Sequence, residues 1–241
     1  AANGGVVTLT QDSQETVTFS GDLYLDLNGK TLTALNITEG TLYGMDSTTD
    51  NYDCSNGYGK IVTLTGTFAK EHKTDITGSI RRYIGVNEAD GVSFHRFYLS
   101  VTKVNLRPAT TGFGYKAEFY GDAKAQSELS TIGYSLSLGG GKAVTRNTNS
   151  FKNTLTLSLQ NFDVANHGET SVNASATATL TDGTVIVSAV ASYSMREIVE
   201  IVNTNFSSYN NTQKQAVQAM CNNYNTVMAD WNISDILTWA E

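Results

Sequence analysis

Short runs of alternating apolar and polar residues, punctuated by Gly, Asn and Asp, constrain this chain more than any other feature. Alternation with a period of two turns one face of a strand inward and the other outward. A single proline, Pro108, stands against 21 glycines. Turns must then be built on left-handed Gly, Asn and Asp positions rather than on Pro. The expected fold class is mainly β: a short β-solenoid-like N-terminal segment, an immunoglobulin-like β-sandwich, and a C-terminal helical pair.

Three segments follow from the pattern. Residues 1–70 hold very short β runs with tight corners, such as Val6-Val7-Thr8-Leu9-Thr10 and Leu23-Tyr24-Leu25-Asp26-Leu27, the latter followed by Asn28-Gly29. Such runs suit the stacked rungs of a parallel solenoid and equally permit a small antiparallel sheet, because the period is irregular. Residues 71–193 carry about seven longer candidate strands with turn signals between them, near 80–86, 92–104, 114–119, 134–138, 154–159, 171–180 and 184–193, the pattern of a sandwich. Asp182-Gly183 predicts a type I′ hairpin between the last two, and 139–141 with 147–150 predict a flexible loop. From 194 to 241 the period changes to helical. Ser194-Met195-Arg196-Glu197 predicts a capping box, with Met195, Ile198, Val199, Val202 and Phe206 on one stripe. A second helix is expected from near Thr212, with Gln215 in the same capping relation and Val217, Cys221, Tyr224, Val227, Met228 and Trp231 along its face.

Composition narrows the function classes. Charged residues are 16% and hydrophobic residues 40%, enough for a core but poor in charge, with Thr, Asn and Ser filling the gap. The net charge of −7 with only 16 Lys and Arg argues against nucleic acid, whose phosphates need a basic face. No run approaches the roughly 20 apolar residues of a membrane span. No signal peptide or wall-anchoring motif is present, so the chain is expected to be a mature or excised piece of something longer. Cys54 and Cys221 read as buried free thiols, with a disulfide between them as the alternative.

The search for chemistry returns little. The three histidines, His72, His95 and His167, show no metal-ligand spacing. His95 shares a strand face with Phe97, Leu99 and Val101 and reads as a satisfied core histidine. Glycosidic carboxylate pairs meet only in space, and Glu88, Asp90, Glu118 and Asp122 are the places to look for one. The stretch from Asp46 to Asp53 offers oxygen ligands for calcium but lacks the EF-hand order, and reads as a solvated acidic loop. No catalytic residue, metal or cofactor is expected. A deep pocket with perturbed carboxylates, or a buried and charge-paired His95, would point to an enzyme instead. The binding candidates are Arg82, Arg96, Tyr98, Tyr115 and Tyr120, since Arg and Tyr in neighbouring strands carry binding hot spots. Phe97, Phe113 and Phe119 are expected in the core, and alternation turns Tyr98 and Tyr120 outward.

The stretches Leu25-Asp26-Leu27-Asn28-Gly29-Lys30-Thr31-Leu32 and Gly40-Thr41-Leu42-Tyr43-Gly44-Met45-Asp46-Ser47 resemble a pattern in the β-helix-like segments of large multidomain cell-surface proteins of gut Firmicutes. Residues 94–122 and 193–231 are similar to downstream parts of the same proteins. The resemblance implies an extracellular place, on the cell surface or secreted. It implies a non-enzymatic binding module contacting a host glycoprotein, with immunoglobulin as the most specific partner. A carbohydrate-binding accessory domain and a structural spacer are the alternatives. The sequons at Asn36, Asn173, Asn205, Asn210 and Asn232 then lose meaning, since a eukaryotic pathway reads them.

Overall fold

The computed structural model describes residues 5–48, 57–76, 79–107, 112–141, 143–148, 154–159, 164–216 and 219. The fold is mainly β. Contacts divide the chain into two compact units. One holds Ala1–Leu99, Phe119–Ile132 and Ala178–Ile186; the other holds Ser100–Glu118, Gly133–Thr177 and Val187–Glu241.

The first unit begins with β1 (Val7–Thr8), β2 (Ser13–Ser20), β3 (Leu23–Asp26), β4 (Thr31–Met45) and β5 (Lys60–Phe68). All pair in parallel: β1 on β3, β2 and β3 on β4, and β4 on β5. The first passes are tied at a common offset. Asn28 Nδ2 donates to the Leu9 carbonyl, the Thr31 amide to Asp12, and the Thr41 amide to Asp22, each bond joining residues 19 apart. The strands turn their leucines inward. Leu25, Leu27, Leu32, Leu35, Leu42, Met45 and Ile61 form one buried cluster with Tyr83 and Phe94, and burying each such aliphatic side chain is worth about 1.5–3 kcal/mol.

Corners, not strands, set this arrangement. Asn28 and Gly29 take left-handed φ values of 48° and 70°, closed by the Lys30 amide on the Leu27 carbonyl at 2.8 Å. The pair therefore makes a corner between parallel strands, not a hairpin. Asp26 Oδ1 accepts from the Asn28 and Ser47 amides at 2.9 Å each. Asp46, 0% exposed, accepts from the Gly29 and Thr48 amides on Oδ1 and from the Gly59 amide on Oδ2 at 2.6 Å. Asp46 is thus an interior turn anchor and not the solvated acid its sequence suggests, because charged oxygens beside unpaired corner amides satisfy both. Asp50 and Asp53 lie outside the described residues, as do Cys54 and Cys221. At Gly40, with φ +84°, a β-carbon would meet the Gly21 carbonyl carbon at 2.4 Å, so only glycine lets these passes close.

β6 (Glu71–Ile76), β7 (Ser79–Glu88) and β8 (Gly91–Arg107) continue the sheet antiparallel, β8 joining β5 at Ile61 opposite Val92. Charged Glu71, Lys73 and Asp75 stand at alternate positions of β6, which hid it from the alternation reading. Its His72 is buried against the stacked rings of Tyr24 and Tyr43, whose centroids are 4.8 Å apart. Burial lowers the His72 pKa, partly opposed by a backbone hydrogen bond at Gly44.

The chain goes on through β9 (Gly112–Gly121), α1 (Ala123–Ser127), β10 (Leu129–Leu138), β11 (Val144–Thr148), β12 (Thr154–Leu159) and α2 (Val164–His167). It ends in β13 (Val172–Leu180), β14 (Val185–Val187), β15 (Ala191–Tyr193) and α3 (Met195–Thr204). Within the second unit β9 pairs antiparallel with β12, and β13 with β15. Four expectations are corrected here. Asn147 and Thr148 belong to β11, not to a loop. The strand expected over 184–193 is two strands, because Ser188 interrupts it: its hydroxyl accepts the Ala176 amide at 2.9 Å. The Asp182-Gly183 turn is not type I′, since Gly183 has a positive φ and Asp182 does not. The Gly183 amide donates to the Leu180 carbonyl, and Asp182 accepts from Thr184 instead. The second helical cap is at Asn210 and Gln213, which exchange backbone-to-side-chain bonds, two residues before the expected one. The first cap is as expected: Ser194 and Glu197 bond reciprocally. Met195 and Ile198 are buried, whereas Val217 and the stripe from Cys221 to Trp231 lie outside the described residues.

Two measurements check this fold. Asp46→Ala strands the corner amides and should cost about 3 kcal/mol or more, read by chemical denaturation. A group held neutral by burial contributes fully above its unfolded value of about 6.5 and less as pH falls below it. Thermal stability should therefore drop between pH 7 and pH 5, and His72→Phe should flatten that step.

Candidate functional site

Within the first unit a cleft of about 520 Å³ opens between the Gly57–Lys60 stretch, the β7–β8 turn and the start of α1. Each wall follows from local sequence. Glu88 pairs with Gly91 across a two-residue turn, Ala89-Asp90. Gly91 has φ +138°, and a β-carbon there would meet the Ile61 carbonyl oxygen at 2.3 Å. That close approach brings Lys60 to its ion pair with Asp90. Ser93 and His95 stand two apart on β8 and therefore face the same side. Asp122 caps α1, accepting the Ala125 amide on Oδ1 at 2.7 Å.

The second oxygen of Asp122 lies 2.7 Å from His95 Nδ1, and His95 Nε2 lies 2.7 Å from Ser93 Oγ. Ser93 Oγ in turn donates to Glu88 Oε1 at 2.5 Å, and Glu88 holds Lys124 in an ion pair. Ser93 is 2% and His95 1% exposed, with the Tyr58 ring 3.9 Å from the imidazole, centroid to centroid. Burial pushes the Glu88 carboxyl up, but the hydrogen bonds from Lys124 and Ser93 outweigh it, and its pKa is lowered overall. The hydrogen bond and charge of Lys60 lower that of exposed Asp90.

The serine, histidine and aspartate have the spacing of a nucleophile, a base and an orienting acid, but the protons run otherwise. A hydroxyl has one proton, and an ionised carboxylate only accepts. Ser93 gives its proton to Glu88, so His95 Nε2 meets the serine oxygen as a donor. His95 Nδ1 in turn faces the Asp122 carboxylate. The result is an imidazole clasped between Glu88 and Asp122, which fixes the cleft floor. Among the described residues, no three His, Cys, Asp or Glu side chains converge to hold a metal ion.

The expected binding residues divide. Tyr83 lies opposite Arg96 and Arg82 opposite Phe97, so Arg96 and Tyr98 share one face of β8 while Arg82 faces the other. Tyr98 and Tyr120 are half-buried neighbours, centroids 6.3 Å apart. Arg82 reaches Glu71 at 3.4 Å. Tyr115, 1% exposed, donates to the Val172 carbonyl at 2.5 Å, and burial raises its pKa. Phe97 and Phe119 are buried in the core; the side chain of Phe113 lies outside the described residues. Three of the acids marked for a carboxylate pair, Glu88, Asp90 and Asp122, do line one cleft. Glu118 instead pairs with Lys116. Sequence reasoning missed Ser93, Tyr58, Lys60 and Lys124. The Ser-x-His spacing on one strand was the one available signal.

No protein-family model matches the chain, and no curated protein matches it. Among solved structures it is similar to a myokine, at 10% identity and a TM-score of 0.28, over 40% of this chain and 89% of that one. It is similar to a polysaccharide deacetylase from Bacillus cereus, at 15% identity and 0.27, over 41% and 30%. It is also similar to a β-glucuronidase from Parabacteroides merdae, at 10% identity and 0.29, over 49% and 18%. The chain thus spans less than a third of either enzyme. Likeness of this degree carries no functional argument.

The proton count is checked with a fluorophosphonate probe, which labels serines activated by a histidine base. Ser93 should stay unmodified at pH 7.5, and labelling abolished by Ser93→Ala would overturn the assignment.

Proposed function

We propose that this chain is a non-enzymatic binding module of a bacterial cell-surface protein, extracellular in place, that contacts a host glycoprotein, with immunoglobulin as the most specific partner. The observation that supports this reading is the pairing of Tyr98 on β8 with Tyr120 on β9, with Arg96 on the same face of β8 as Tyr98, each half-buried. A rigid aromatic pair with an adjoining guanidinium is the composition of a binding hot spot. Parallel pairing throughout, with bonds between residues 19 apart in the first passes, supports reading β1 to β5 as a short β-solenoid. Antiparallel pairing in β6 to β8, β9 with β12, and β13 with β15 supports an immunoglobulin-like sandwich after residue 70. Among the described residues no helix is long and apolar enough to cross a membrane.

The buried His95, set between Ser93 and Asp122, is the observation that favours an enzyme as second reading. The direction of the Ser93 proton weighs against serine chemistry there.

Biolayer interferometry against purified polyclonal immunoglobulin and purified mucin tests the first reading. Binding to at least one is expected, with the Tyr98→Ala/Tyr120→Ala double variant weakened about tenfold or more, or about 1.4 kcal/mol. No binding to either, or full affinity in the double variant, counts against it.

A further inference from the structure

Resting on the reading of the chain as a glycoprotein binder, we propose that the cleft around Tyr58, Glu88, Asp90 and Lys60 seats a saccharide ring of the partner's glycan. Its volume of about 520 Å³ falls within the roughly 300–1,000 Å³ of small-ligand sites. The lining decides the chemistry. Lys60 and Lys124 alternate with Asp90 and Glu88 as ion pairs at the mouth, so an apolar ligand would bury charge without compensation. A multiply charged anion would meet carboxylates beside each lysine. A neutral polyhydroxylated ring matches both signs, because each hydroxyl can donate to a carboxylate and accept from an ammonium.

Two further features fit a sugar. Tyr58, half-buried, lines the cleft with its aromatic ring, an apolar surface in a mouth otherwise charged. The acceptors are also fixed in advance. Glu88 is held by Ser93 and Lys124, and behind it His95 is bonded to both Ser93 and Asp122. Ordering already completed in the free protein is not charged against binding.

The test uses the full chain in two assays: a mammalian glycan array, and binding to immunoglobulin and mucin before and after enzymatic deglycosylation. Array binding is expected, with affinity for at least one intact glycoprotein falling tenfold or more on deglycosylation. Tyr58→Ala should reduce both signals. So should Asp90→Asn, whose side chain is 63% exposed on a turn and whose replacement leaves the core untouched; circular dichroism and thermal melts confirm both folds. A blank array, with glycoprotein binding indifferent to deglycosylation, overturns the cleft and leaves the surface reading standing. Array hits abolished by Asp90→Asn without binding to either glycoprotein overturn the host-glycoprotein reading and keep the saccharide cleft. Array hits unchanged in both variants place the sugar elsewhere and overturn the cleft.

Discussion

A carboxylate with no solvent contact holds the first unit together. Parallel strands joined by short connections must turn sharply, and each corner leaves amides without a ladder partner. Asp46 accepts three of them from separate stretches of chain, at Gly29, Thr48 and Gly59. Asp26 does the same for Asn28 and Ser47. The buried charge and the unpaired amides would each be costly alone; together they satisfy one another. The leucine cluster supplies the bulk of the burial energy, but the aspartates fix which strands stack and in what register.

The same device recurs at the cleft. Asp122 serves one oxygen to a helix cap and the other to His95, so a structural duty and a positioning duty share one side chain. Glu88 similarly accepts from Ser93 and Lys124. The cleft is therefore an extension of the way this chain manages polar groups, with Ser93 and His95 both set by the single strand β8.

Much of the fold could be read from sequence. Alternation located β7, β8, β12 and β13 closely, and in β13 the apolar face is buried along the run Val172, Ala174, Ala176, Ala178 and Leu180. The Ser194–Glu197 cap could be read because it is local. β6 could not, because Glu71, Lys73 and Asp75 interrupt any apolar pattern while backbone pairing to β7 alone makes the strand. Asp46 was read as solvated for a related reason: of its partners only Thr48 is next door, while Gly29 stands 17 residues before it and Gly59 13 after it. At the site, Glu88, Asp90 and Asp122 were marked as acids worth watching, and His95 as a buried histidine. Their meeting depended on long-range register.

Sequence by itself determined the mainly β class, the turn chemistry carried by glycine and asparagine, and the change to helical period at Ser194, since each depends on neighbours within a few residues. Tertiary structure alone decided that the first strands stack in parallel, that Arg82 and Tyr98 lie on opposite faces, that Tyr115 is interior, and that Ser93 answers to Glu88 rather than to a histidine base. Those outcomes hinge on hydrogen-bond partners brought together by register across distant strands, and no linear pattern records which carboxylate a hydroxyl will reach.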